Sequence, residues 1–362
     1  MDREQQALFA LVRAGLWGRY DEAMASSFPL SAESWERVFV LARQQTVTGL
    51  AFKGLDFLPE DAAPPMGLMA KWIAYVDRIE QGNRHVNKTI AMLYNHFAAS
   101  DEKAVLQKGA GVASMYPDPL LREYGDIDLF FPDHDGKSDP LAGISGTERV
   151  AKPDGSWEYD LGGVIIEHHS HLVDVQAPHA KRFVSSLIAE KGFESICIDG
   201  CKVLVPAPEV NLLLLSSHIL KHALGVGIGL RQLCDMAIVC NHYSDRIDPQ
   251  EMRTIYCKTG LGKWAELLEA FLVENLGMNK SLSMSEKKYK TCVKKSRILL
   301  DIILKGGNFG HFTDKRELTS RNRILRKLHT FVSFWENLPF VLTYAPREWF
   351  WTMAKLMGGQ MR

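Results

Sequence analysis

Along the first hundred residues the apolar positions recur every three or four residues, the spacing that places them on one side of a helix. In "SAESWERVFVLARQQTVTGLAF", Trp35, Val38, Phe39 and Ala42 keep that period. Ser31 precedes them as a candidate N-cap, and Glu33 stands in the first turn, where the helix dipole favours an acid. The turn-rich stretch "DFLPEDAAPPMG" breaks the pattern. Beyond it, Leu68, Trp72, Tyr75, Val76, Ile79, Val86, Ile90, Leu93 and Phe97 predict one long helix, with a bend expected near Gly82.

Between residues 101 and 206 the period shortens. "AVLQ", "DIDLFF", "GVIIEHH" and "KVLVPAP" are short apolar runs bounded by turn residues and predict strands. From Pro132 to Val164 the chain is rich in Gly, Asp, Pro and Ser, which predicts loops around a hairpin that includes "WEYDLGG". From Pro208 the helical period returns in "EVNLLLLSSHILKHAL", "LRQLCDMAIVCNHY" and "LGKWAELLEAFLVENLG". The end carries Trp335, Phe340, Trp349, Phe350 and Trp351 between prolines. Its pattern favours a core-packing segment over a contact surface for a membrane or partner. The pattern therefore predicts a helical region over 1–100, a mixed α/β core over 101–206 and a second helical region over 207–362.

Composition narrows the class of function. A chain of 362 residues that is 46% apolar can bury two or three modest cores, or one large one with helical additions. Its 43 basic and 43 acidic residues leave no net charge, which argues against general nucleic-acid binding. Six cysteines are scattered without zinc-site spacing and read as reduced thiols. The amphipathic start, charged from its second residue, is unlike a signal peptide, and no eighteen apolar residues run together. A cytoplasmic protein without a transmembrane segment is the expectation.

The candidate chemistry lies where acids interrupt an apolar strand. In "DIDLFF", Asp126 and Asp128 are two apart and aim at one face, while Ile127 and Leu129 face a core. Side-by-side carboxylates repel unless something cationic sits between them, and Mg²⁺ suits carboxylates together with substrate phosphates. Acids at a strand end meeting solvent, or pairing with Arg122, would account for the same letters. Upstream, Lys108 and Gly109 end a strand and open a small-residue helix, a place where backbone amides and a point charge suit a phosphate. In "GVIIEHHSH", Glu167 supplies a third acid, with His169 on its face and His168 on the other. A surface strand with a solvated Glu-His patch is the alternative reading. His218 and His222 share a helix face four residues apart, as do Arg231 and Asp235 on the next helix. A hydrogen-bonded network joining two helices would explain these four as well.

"LQKGAGVASMYPDPLLREYGDIDLFF" followed by "VIIEHH" resembles the uncharacterised nucleotidyltransferase family of the polymerase-beta-like superfamily. The flanking helical stretches are also similar, so that the resemblance covers most of residues 30 to 245. It implies an α+β fold, with a small mixed β-sheet nucleotidyltransferase core flanked by N-terminal and C-terminal helical regions. It implies Asp126, Asp128 and Glu167 as the catalytic, metal-binding acids for Mg²⁺ or Mn²⁺. Lys108, Gly109, Arg122 and His169 become nucleotide-binding candidates, and His218, His222, Arg231 and Asp235 a polar cluster for the nucleotide or acceptor. The implied reaction moves a nucleoside monophosphate from a triphosphate such as ATP to a small molecule, sugar derivative or protein side chain. The alternative is an inactive nucleotide-binding regulatory or antitoxin-like module. Lys108 stands where the superfamily usually carries glycine, and "YPDPLLREYG" lengthens the step to Asp126.

Overall fold

Asp2 opens the first helix by a reciprocal cap. Its carboxylate accepts the Gln5 amide at 2.8 Å, and the Gln5 side chain accepts the Asp2 amide at 3.0 Å. Two donors that no helical carbonyl can reach are thereby satisfied. The computed structural model describes residues 1–133, 140–141, 144, 149–152, 156–224, 227–280, 284–306 and 338–358. Five helices lead: α1 (Arg3–Trp17), α2 (Met24–Ser27), α3 (Ala32–Gln44), α4 (Thr48–Gly54) and α5 (Met66–Ala99). Ser31 caps α3 as expected, its hydroxyl accepting the Ser34 amide at 3.2 Å.

α5 is continuous through Gly82 for 34 residues, a rod of about 50 Å at 1.5 Å per residue. Its first half buries Trp72 against Trp35, Phe39 and Phe52. Its second half lays Val86, Ile90, Leu93, Tyr94 and Phe97 on a β-sheet.

That sheet is built from β1 (Val105–Gln107), β2 (Asp126–Phe130), β3 (Arg149–Ala151), β4 (Trp157–Leu161), β5 (Val164–His169), β6 (Phe193–Ile198) and β7 (Cys201–Pro206). The short α6 (Gly109–Ala113) follows β1, and α7 (Pro178–Lys191) precedes β6. The spatial order is β3-β4-β5-β2-β1-β7-β6. β2 runs parallel to β5 and β1 parallel to β7, whereas β1–β2 and the two outer hairpins are antiparallel, so the sheet is mixed. Leu106, Ile127, Leu129, Ile166, Val203 and Val205 form the face under α5. The opposite face carries the acids.

The architecture is α+β, a mixed sheet with helical regions before and after it. Two strands, β3 and β6, go beyond the sequence expectation. The signal for β6 was present: Asp199 and Gly200, at φ 49° and 76°, form the two-residue turn that Asp-Gly favours in hairpins. Its irregular burial hid the alternation that marks a strand.

By compactness the chain divides into two units. The first comprises Met1–Phe39, Thr48–Leu172 and Lys191–Ala207, and therefore the whole sheet; the second comprises Val40–Val47, Val173–Glu190 and the chain from Pro208 onward. Helices α8 (Pro208–Leu224), α9 (Leu230–His242), α10 (Pro249–Lys258), α11 (Gly262–Leu276), α12 (Glu286–Gly306), α13 (Leu338–Tyr344) and α14 (Pro346–Gly358) belong to the second. There the Trp264 indole donates to the Ser216 carbonyl at 2.9 Å and meets Phe340 edge-on at 6.1 Å. Glu348 accepts the Gln176 and Ala177 amides at 2.6 and 3.3 Å. Of the aromatic tail, Phe340 is thus buried, Phe350 and Trp351 are exposed, and Trp335 lies outside the described residues. Among the described residues no helix is long and apolar enough to cross a membrane.

Candidate active site

The segment leading into β2 is held from three sides. Asn83 of α5, 1% exposed, donates its Nδ2 to the Leu120 and Arg122 carbonyls at 2.7 and 2.9 Å, and its Oδ1 accepts the Tyr124 amide at 3.3 Å. The Tyr124 hydroxyl bonds Asn87 at 2.8 Å, and the Glu123 carboxylate accepts the Thr48 amide, at the start of α4, at 3.0 Å. A Cβ at Gly49 would stand 2.2 Å from the Leu121 carbonyl oxygen, so only glycine permits α4 to approach this closely. Buried backbone groups need partners, and here side chains provide them where no regular element does. The sequence carried no sign that Asn83 has this role.

Strand register then assembles the site. Gln107 of β1 and Glu167 of β5 each stand opposite Asp128, on its two sides. Phe130 stands opposite His169. Ile127 and Leu129 are buried on the other face, as the alternation requires.

Two lysines neutralise these acids. Lys108, directly after β1 at φ 48°, places Nζ 2.9 Å from Asp128 Oδ1. His169 Nε2 lies 2.5 Å from the same oxygen and 3.4 Å from Glu167 Oε2. Lys152 bridges Glu167 and Glu158, 2.6 Å from each, across a β4–β5 register that sets the two glutamates face to face. Asp128 is 6% exposed. Burial pushes its carboxyl up, but the Lys108 ammonium and the His169 bond outweigh it and hold the carboxyl far below the usual range. For Lys152, burial lowers the ammonium and the bonds to Glu158 and Glu167 raise it further, so that it stays above the ordinary lysine value. Nothing in its loop-like surroundings marked Lys152 in the sequence.

The remaining candidates fall as follows. Asp126 is exposed at the start of β2. Gly109 opens α6 at φ 35°, a conformation that favours glycine, and its Cβ position lies 3.5 Å from the Asp126 carbonyl oxygen. Arg122 is buried and bonds the Glu123 carbonyl at 3.2 Å. In the second unit, His218 and His222 meet edge to face at 4.4 Å on α8; Arg231 and buried Asp235 lie one turn apart on α9.

Asp128, Glu167 and His169 each offer a ligand atom, and the three atoms lie within 4.8 Å of one another. Two carboxylate oxygens and an imidazole nitrogen at that spacing fit a divalent cation.

A family model described as an uncharacterised nucleotidyltransferase matches residues 31–276. No curated protein matches the chain. The solved structure of an antigenic nucleotidyltransferase-like protein from Paracoccidioides brasiliensis is similar over 55% of this chain and 94% of that one, at 18% identity and a TM-score of 0.35.

Proposed function

Because the chain belongs to the uncharacterised nucleotidyltransferase family, we propose that it transfers a nucleoside monophosphate from a nucleoside triphosphate to an acceptor hydroxyl, with a divalent cation held at Asp128 and Glu167. The observation that carries this reading is the pairing of Asp128 with Glu167 on adjacent parallel strands, beside the ammonium of Lys108. In the reaction the acceptor oxygen bonds the α-phosphorus, the bond to the β-phosphate oxygen breaks, and pyrophosphate leaves. Glu167, half-buried on the neighbouring strand, takes the acceptor proton in this reading. Lys108 reaches the site from the turn after β1 and contributes a point charge toward the triphosphate. His169 orients the Asp128 carboxylate through their hydrogen bond. A divalent cation, when bound, lowers the cost of charge on the attacking and leaving oxygens. Asp126, exposed two residues before Asp128 on the same face, is a further oxygen ligand within this reading. The polar pairs His218–His222 and Arg231–Asp235 remain candidates for the nucleotide or acceptor. The cytoplasm is the proposed location.

One observation favours a second reading. Lys108 and Lys152 already balance Asp128 and Glu167, an arrangement that suits a nucleotide-binding regulatory or antitoxin-like module without turnover. Incubation with each labelled triphosphate and Mg²⁺ or Mn²⁺ separates the two. Transfer of label to protein, partner or small acceptor, reduced at least about 100-fold in Asp128→Asn, supports the enzyme. Full transfer by that variant would remove Asp128 from the mechanism; nucleotide binding without transfer supports the module.

A further inference from the structure

The group around Asp128 contains a nitrogen atom where an all-oxygen site would not. His169 Nε2 is 2.5 Å from Asp128 Oδ1 and 3.4 Å from Glu167 Oε2, and its side chain is only 23% exposed. Ligand atoms about 2.1 Å from a six-coordinate ion stand about 3 Å apart. Both distances lie within about half an ångström of that edge; an ion among the three opens the His169–Asp128 bond and takes the place of the Lys108 ammonium, 2.9 Å from the same oxygen. Seating the ion moves the imidazole proton from Nε2, where it bonds Asp128, to Nδ1, and the freed lone pair on Nε2 becomes the ligand. Asp126 is not among these converging atoms.

A second observation on the same face points to an incoming ligand. Gln107, opposite Asp128 and 3% exposed, has an amide Nε2 without an acceptor among the described residues. A buried donor left in that state is costly. Water or phosphate oxygen arriving with a cation supplies an acceptor next to Asp128.

We propose that His169 is a nitrogen ligand to the cation of this site, and that it makes the centre select first-row transition ions over Mg²⁺. The inference rests on the cation-dependent reading above and adds the chemical class of the ion. Imidazole is a common ligand for first-row transition ions, whereas Mg²⁺ keeps to oxygen and to its own waters. A site with one imidazole and two carboxylates therefore binds Mn²⁺, and Co²⁺ more tightly still, ahead of Mg²⁺.

The test uses the full chain, stripped of metal and without nucleotide. Mn²⁺ is titrated by its electron paramagnetic resonance signal, with Mg²⁺ as competitor, and pulsed spectra are read for ¹⁴N coupling. Mn²⁺ is expected to bind at least about tenfold more tightly than Mg²⁺, with a resolved nitrogen coupling. In His169→Ala the coupling disappears and Mn²⁺ affinity falls about tenfold or more, while Mg²⁺ affinity changes little. If that variant does not fold, the coupling and the ion ratio in the natural chain decide the matter. Equal affinities, no Mn²⁺ binding, absence of nitrogen coupling, or a coupling that persists in His169→Ala would each overturn the proposal. Nitrogen-coupled Mn²⁺ without nucleotide transfer removes the transferase reading and leaves the ion site. Transfer supported equally by Mg²⁺ and Mn²⁺, without nitrogen coupling, does the reverse.

Discussion

Lys108 shows how much rests on one side chain. It adopts a positive φ that few non-glycine residues tolerate, and its side chain, 15% exposed, brings the ammonium to the buried carboxylate of Asp128. Removing the ammonium leaves Asp128 with His169 as its remaining described partner at that oxygen. Lys108→Met is therefore expected to cost about 3 kcal/mol in urea unfolding, the scale of a broken buried pair. Saturating Mn²⁺ should restore part of that loss, because a ligand that binds only the folded chain stabilises it. A Lys108→Met protein as stable as the natural chain would mean that solvent already balances Asp128.

Helix pairs make their own predictions. α1 and α4 cross so closely that a Cβ at Gly15 would stand 2.0 Å from the Leu50 carbonyl oxygen, and one at Gly54 2.1 Å from that of Leu11. Backbone cannot yield as a side chain end can, so Gly15→Ala should destabilise by about 1–3 kcal/mol, read as a lower urea midpoint at unchanged slope. α1 and α3 are joined instead by charge. Glu4 accepts from Ser34 at 2.8 Å and Arg37 at 2.5 Å, and these bonds lower its carboxyl from 4.5 to about 2. A depressed acid stabilises the fold above its unfolded value and loses that contribution as pH falls through the folded one. The natural chain should thus melt above Glu4→Gln at pH 6, with the gap closing between pH 4.5 and 2. A gap that stays constant across that range would show that the ion pair contributes nothing. At the sheet, Asn83 is the corresponding device: Asn83→Ala leaves two carbonyls and an amide without their partner. It should cost about 2–3 kcal/mol and lower nucleotide transfer through the shifted β2, with Asn87→Ala milder in both measurements.

Across the molecule, α5 ties the N-terminal helices to the sheet within the first unit. Residues 101–206 hold every strand among the described residues but not the helix that covers them. Expressed alone, that segment exposes Ile127, Leu129, Ile166 and Val203, and it should bind hydrophobic dyes and lack a cooperative melt. Cooperative unfolding of that piece would show that the sheet finds its own cover.

Periodicity along the chain was enough to place α3, α5, β1, β2, β5 and β7, because local burial imposes a repeat of two or about 3.6 on any sequence that forms them. It also set Asp128, Glu167 and His169 on one side of the sheet, away from Ile127 and Leu129. What it could not supply was pairing between distant segments. The β4–β5 register brings Lys152 to Glu167, the turn after β1 swings Lys108 onto Asp128, and Asn83 reaches Leu120 across 37 positions. Those contacts obey no local period; they exist only once the strands have found their neighbours. The acids were legible in the letters, and the cations that let them coexist were decided by the fold.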